Sequence, residues 1–392
     1  MVNAKQRGDG PMNKKEISEI KKLFTPANCV LTRICGCYVD AEKNQRTKLK
    51  EAFLSLPEEE AFKYFTIFKK GLSGTIGRNL MNMEFPLDQE LGEGTQKFLL
   101  RLRDSGLMEE ELIEEFYQKV MDTYLYPENY YIILVHGAYD VPGRASDNLD
   151  MEDASDYVYN FIMCSICPVK LSKPGLCYNT ETNHIENRVQ DWIVDVPDTG
   201  FLFPAFNDRN TDIHSLLYYA KNPEVLQTDF IDQFLGCRIP LSAKTQKETF
   251  QVIIEETLDR NCDFETVMNI QENLNELLEE RKEDPDPVTL GKYEVKKLLA
   301  NSGVDNERLE EFDSHYEAAA DEKTSFVAAN VASVRNYEIK TPDVVIKVAP
   351  DKAQLVEHKI IDGVPYILIE ATDQVEINGI AVRTAAEEER EE

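Results

Sequence analysis

The apolar pattern predicts an α+β fold, with α/β as the alternative: a central mixed β-sheet flanked by helices, then a C-terminal helix pair and a small β-meander. Three observations carry this. The longest apolar run, 130–135, does not alternate, so both faces of that strand are covered, as when helices pack on both sides of a sheet. Further strand-like segments follow over 159–171, 175–179, 188–194, 200–205 and 212–220. Helical spacing lies on either side, clearest over 109–126, where Leu112, Ile113, Phe116, Val120 and Met121 share one face.

From the start, residues 1–11 are polar and read as a disordered extension. A helix over 13–24 buries Ile17, Ile20, Leu23 and Phe24 and stops at Pro26. Residues 29–39 make a β-branched strand with Gly36 as a bulge or close approach, and 48–56 a short helix. The next helix has Pro57 at its first position, Glu58, Glu59 and Glu60 in its first turn, Lys69 and Lys70 in its last, and Gly71 as its cap. Those charges complement the helix dipole. Residues 80–85 form a strand, and Thr95 caps a helix running to Asp104. A hairpin turn is expected over 179–183. From 242 the spacing is helical again, with Phe250, Ile253, Ile254 and Leu258 on one face and Asp263 capping a second helix. Helices over 246–282 are expected to pack on the central sheet. The domain boundaries follow: a main domain over 12–282, a linker at 283–288 marked by Pro285 and Pro287, a C-terminal domain over 289–384, and an acidic disordered tail over 385–392. The last domain begins with helices at 289–300 and 305–320. Its hairpins are signalled by Asp362-Gly363 and Asn378-Gly379.

The totals narrow the function. With 72 acidic against 43 basic residues the net charge is −29, which argues against nucleic acid and against anionic lipid as partners. A protein partner fits this balance better. No apolar run reaches the roughly 20 residues of a spanning helix, so no membrane is expected. Eight cysteines, mostly inside apolar runs, read as reduced thiols of a cytoplasmic protein. Oligomeric state and cofactor are not legible.

One constellation has the residue types of a catalytic site. The segment His136-Gly-Ala-Tyr-Asp140, running on through Asp147, Asp150, Glu152, Asp153 and Asp156, is expected as a loop after the strand 130–136. Asp208, Arg209, Asp212 and His214 follow the strand 200–205. Ligands of open sheets bind beyond the carboxyl ends of strands. If the two strands are neighbours, His136, Asp140, Asp208, Asp212 and His214 converge, and imidazoles with carboxylates suit a divalent metal or acid–base chemistry. The plainer alternative makes the same residues turns and helix caps. Cys35, Cys37, Cys164 and Cys167 supply four thiols, the number a structural zinc takes, but their apolar surroundings favour the core. The glycines of 71–79 have the spacing of a phosphate loop in the wrong context, after a helix and before a strand. The helix pair 289–320 has too many acids to read DNA. Two functions stand: a binding or regulatory protein without catalysis, whose terminal hairpin edge accepts a partner strand, or a metal-assisted hydrolase or nucleotide-acting enzyme using the Asp/His residues.

The strings MNKKEISEIKKLF (12–24), ICGCYVD (34–40), AFLSLPEEE (52–60), AYDVPG (138–143), MEDASDYVY (151–159), CSICPVKLSKPGL (164–176) and GFLFPAFNDR (200–209) resemble a family from Firmicutes of the Clostridia type, the domain of unknown function 4317. The likeness runs over nearly all of 12–384. It implies a cytoplasmic bacterial protein whose own start is Met12, and it carries no reaction and no site residues.

Overall fold

The computed structural model describes residues 11–144, 150–259, 262–321, 324–371 and 375–382, the side chains of Leu91, Arg144 and 150–156 excepted. The extension 1–10, Asp147, the side chains of Asp150, Glu152, Asp153 and Asp156, and the tail 385–392 lie outside this description. The chain divides into two compact units. One runs to Thr245 and takes in Pro285–Pro287; the other comprises Gln246–Asp284 and continues from Val288.

The first unit contains α1 (Lys14–Lys22), β1 (Leu31–Val39), β2 (Gln45–Ala52), α2 (Glu58–Gly71), β3 (Leu80–Glu84), α3 (Leu87–Leu91), α4 (Thr95–Asp104), α5 (Glu110–Thr123), β4 (Tyr130–Arg144) and β5 (Asp150–Leu171). It continues with β6 (Leu176–Asn179), β7 (His184–Asn187), β8 (Trp192–Val194), β9 (Thr199–Phe203), β10 (Ala205–Asn207), β11 (Asn210–Asp212) and β12 (Ser215–Ala220). An eight-stranded sheet takes the order β2-β1-β4-β5-β9-β12-β3, with β8 also paired to β5. Each of its strand pairs is antiparallel, so the α+β class holds and the expected mixture of directions does not occur.

Why the strand at 130–135 is apolar throughout is now visible. Ile132 and Leu134 join Cys35, Cys164, Phe201 and Tyr218 in a core with Leu99 and Leu102 of α4 and Phe116 and Val120 of α5. Ile133 and Val135 join Met163, Leu202 and Leu217 in a second core with Ile17 and Ile20 of α1 and Phe65 and Phe68 of α2. Side chains alternate across a strand, so these are the two faces of one sheet, each covered by helices. Each buried Leu, Ile or Phe contributes about 1.5–3 kcal/mol.

Three elements differ from expectation. Residues 48–56 form an edge strand and a single 3-10 turn, not a helix. Leu49, Phe53 and Leu56 mimic helical spacing, but β2 pairs with β1 from Arg33↔Ala52 to Val39↔Gln45 and displays Arg46, Lys48 and Lys50, charges that suit an unpaired edge. The segment after His136 is not a loop: β4 continues to Arg144, paired with β5 the whole way. The C-terminal strands are separate two-stranded hairpins, Tyr337–Lys340 with Val345–Val348, Val356–Ile361 with Val364–Ile369, and Val375–Ile377 with Ile380–Val382, rather than one meander. Their turns are as read: Asp362-Gly363 and Asn378-Gly379 all have positive φ, as a two-residue hairpin turn requires.

In the second unit α6 (Ala243–Thr257), which enters it at Gln246, and α7 (Phe264–Glu280) precede α8 (Lys292–Asn301) and α9 (Asn306–Ala319). Asp263 caps α7 as expected, its carboxylate accepting from the Thr266 amide at 2.7 Å. Helices over 246–282, expected on the central sheet, belong to this unit instead. Gln246 Oε1 accepts from the Val327 amide at 2.9 Å, and Asn275 Nδ2 donates to the Tyr337 hydroxyl at 2.9 Å, so both side chains bond to downstream segments. The division therefore falls at 245/246 rather than at 283–288.

Gly200 sits where β9 crosses closest to β5. A Cβ there would lie 2.3 Å from the Cys164 carbonyl oxygen, a backbone atom locked in the sheet. Gly200→Ala is expected to destabilise the first unit by about 2–3 kcal/mol, read as a lower urea midpoint, through overpacking. An unchanged midpoint contradicts this account of the β5–β9 contact.

Candidate functional site

β4 and β9 both run antiparallel to β5, so they point the same way along the sheet. The sheet nevertheless separates the residues singled out in sequence. His136 and Asp140 share the strand parity of Leu134 and so face α4, whereas Tyr139, of the opposite parity, faces α1. His136 is buried, and its Nδ1 lies 2.7 Å from the Thr32 hydroxyl. Burial, aided by the positive charge of Arg103, holds its pKa below the ordinary 6.5. Asp140 is exposed, opposite Val158.

The other four residues belong to the β10–β11 hairpin and the turn after it. Asp208 and Arg209 are the two turn residues, both with positive φ. Asp212 is buried; its carboxylate accepts from Asn207 Nδ2 at 2.7 Å, from the Ser215 hydroxyl at 2.6 Å and from the His214 amide at 3.0 Å. His214 Nδ1 meets Glu90 Oε1 of α3 at 2.8 Å. Arg209 forks onto Glu19 of α1, Nε to Oε2 at 3.0 Å and Nη2 to Oε1 at 2.9 Å, with the two side chains only 12% and 22% exposed. Tyr139 donates to Glu19 Oε1 at 2.9 Å, and Tyr157 donates to the Arg209 carbonyl at 2.6 Å. Glu16, next to them, accepts from the Asn13 amide at 2.8 Å to complete the α1 capping box, and from the Arg209 amide at 3.3 Å. Burial raises the Glu16 pKa and also that of Tyr139.

These bonds describe a joint that fixes α1 to the hairpin. Glu19, Glu16, Tyr139 and Tyr157 were not singled out in sequence, since a paired carboxylate on a helix looks there like any solvated one. Among the described residues no three His, Cys, Asp or Glu side chains come together as a metal site, and nothing supports the hydrolase reading. Cys35, Cys37 and Cys164 lie in the core beneath α4 and α5, while Cys167 lies on the opposite face, so the four thiols do not assemble. Burial pushes Cys35 and Cys37 up to about 11 and raises Cys164 and Cys167 further, keeping all four protonated.

A different feature of the 130–221 region stands out on the surface. Between β5 and β9 the chain makes an arm, the β6–β7 hairpin followed by β8, rich in apolar side chains that are exposed among the described residues. Leu176 is 77% exposed, Ile185 65%, Val189 79% and Trp192 57%. Tyr178 stands directly opposite Ile185 on the hairpin. At the base of the arm a cavity of about 690 Å3 is lined by Trp192, Leu171, Tyr126, Pro127 and Ala41, with Glu128 and Lys170 at its polar side. Tyr126 is held by stacking on Tyr124, ring centroids 5.8 Å apart.

By fold this is an α+β protein with an antiparallel sheet covered by helices on both faces. The chain belongs to the family described as domain of unknown function 4317 (DUF4317), whose model matches residues 12–380. No curated protein matches the chain. No helix among the described residues is long and apolar enough to cross a membrane.

The state of His136 sets an acid limit on stability. Above its ordinary value of 6.5 it is neutral in folded and unfolded chains alike. As pH falls below that value the unfolded chain takes up the proton first, so stability is lost on acidification. Going from roughly pH 7.5 to roughly pH 5.5, wild type is expected to lose more stability than His136→Gln, by up to about 1 kcal/mol in urea unfolding. Equal losses in the two proteins contradict a buried, neutral His136.

Proposed function

We propose that the chain is a binding protein without catalysis of its own, which docks an extended basic segment of a partner polypeptide along the β6–β8 arm. One observation carries the reading: the single tryptophan of the sequence, Trp192, is half exposed beside an aromatic-lined cavity of about 690 Å3. Large apolar patches on a protein surface mark interaction sites, and aromatic anchors dominate binding energies. A two-stranded hairpin is marginal in water by itself, so an exposed apolar hairpin gains from a cover.

Charge selects the partner. From Leu171 to Asp198 the acids Glu181, Glu186, Asp191, Asp195 and Asp198 outnumber Lys173 and Arg188, and the whole chain carries −29. A segment with basic side chains is steered to such a surface, and an apolar side chain from it seats between Trp192 and Tyr126. Acidic and polar segments are repelled or leave the anchor cavity unfilled. The terminal hairpins, with Ile360, Ile369, Ile377 and Ile380 exposed, are the second place where a strand could add; the cavity of about 460 Å3 beside Val356–Lys359 is lined by Phe264 and His358, whose rings stack on each other, and it has no tryptophan.

Trp192 supplies its own readout. Titration with a peptide of alternating Lys and Leu is expected to shift Trp192 emission to the blue and saturate, and a peptide of alternating Glu and Leu is not. Trp192→Ala should weaken binding of the fluorescein-labelled Lys/Leu peptide by about tenfold or more, the size of an anchor residue's contribution. Unshifted emission, or equal binding of the acidic peptide, overturns the proposal.

A further inference from the structure

A second cavity in the first unit has the opposite electrostatic character. It has a volume of about 410 Å3 and lies between α1 and the end of α2. Its wall holds Lys14, Lys21, Lys22 and Lys69, and its lining contains no acidic residue. Ile17, Leu72, Ile76 and Leu80, all buried, make the floor. In a chain of 72 acids and 43 bases this is a local reversal of sign.

The helix geometry produces the reversal. On α1, positions 14, 18 and 21 lie on one face, which presents Lys14, Ser18 and Lys21, with Thr25 in the bend that follows, while Glu16 and Glu19 turn away toward Asn13 and Arg209. Some lysines elsewhere are held by carboxylates, Lys48 by Glu114, Lys292 by Glu317 and Lys296 by Asp313. Among the described residues none of the four pocket lysines enters an ion pair or donates a side-chain hydrogen bond. The helix dipole accounts for Lys21, Lys22 and Lys69, which sit at helix C-terminal ends. It does not account for Lys14, in the first turn of α1, where a cation is unfavourable. Unpaired cationic side chains along one cavity raise its positive potential, and a bound polyanion is attracted to it. Part of the glycine-spaced segment 71–79 forms the rim: Ser73 and Gly74 line the cavity, and Gly74 holds φ +117 in the turn that closes it.

We propose that this cavity binds a small diphosphate ester. The lysines hold the two phosphates as point charges, a role ammonium groups fill well. The apolar floor takes the organic part of the ligand, and the volume admits a small molecule rather than a chain. A nucleic-acid backbone presents the same phosphates but meets a protein of net charge −29 beyond the pocket.

The test uses the full chain and calorimetric titration with pyrophosphate, inorganic phosphate, adenosine diphosphate and a single-stranded oligonucleotide. Pyrophosphate and adenosine diphosphate are expected to bind more tightly than inorganic phosphate, and Lys21→Gln/Lys69→Gln to weaken both by about tenfold or more. Lys48→Gln, outside the cavity, should change neither. On the unaltered protein, pyrophosphate should protect Lys14, Lys21, Lys22 and Lys69 from acetylation while leaving Lys48 reactive, read by peptide mass spectrometry. Absence of that protection, affinity unchanged in the double variant, or tighter binding of the oligonucleotide than of adenosine diphosphate overturns the proposal.

Discussion

The β4–β5 pairing is the interaction on which the first unit depends. It runs without interruption from Tyr130↔Pro168 to Tyr139↔Tyr159 and on, past an irregularity, to Arg144↔Asp150. The other strands of the main sheet are reached from it, through β1 on one side and β9 on the other, with β8 paired to β5 itself. Because both faces of this ladder are apolar at its centre, helices must cover both, and they do: α4 and α5 on one side, α1 and α2 on the other. Loss of the ladder would strand both cores at once.

That constraint also decides where polar and functional groups can go. The centre of the sheet is filled by the two cores: Ser165 is fully buried there among apolar neighbours, and the cysteines beside it are held protonated by burial. Polar residues gather where the ladder outruns its helical cover. At the far end of β4 they form the Glu19–Arg209–Tyr139 joint, which binds α1 to the β10–β11 turn. At the opposite end of β5 the chain leaves the sheet as the apolar arm and exposes Trp192. The joint consumes its own charges and the arm leaves its apolar surface uncovered, so of the two the arm is the better candidate for contact with another molecule.

Much of the fold was legible from local signals. The uniform apolarity of 130–135 named a strand covered on both faces, and Pro57, the Glu58–Glu60 run and Gly71 bracketed α2. Asp362-Gly363 and Asn378-Gly379 marked real turns. What failed depended on pairing across distance. β2 looked helical because its strand character comes from β1 rather than from its own residues, and the continuation of β4 beyond His136 is imposed by β5 on a segment rich in Gly, Pro and Asp. The sequence suggests one rim for the Asp, Arg and His residues, but strand parity turns His136 and Asp140 toward α4, while Arg209 pairs with Glu19 of α1 on the other face. The lysine-lined cavity was invisible because Lys14–Lys22 and Lys69 are distant in sequence. The separate hairpins, likewise, could not be told from a meander by turn signals alone.

Hydrogen exchange of the isolated protein, followed residue by residue, tests the central claim most directly. If the β4–β5 ladder is the spine and the arm is an uncovered projection, amides of 132–135 and 162–166 exchange last of all, while those of 176–187 exchange fast. Protection of the arm equal to that of the ladder, or a ladder that opens before the edge strands β2 and β3, would contradict it.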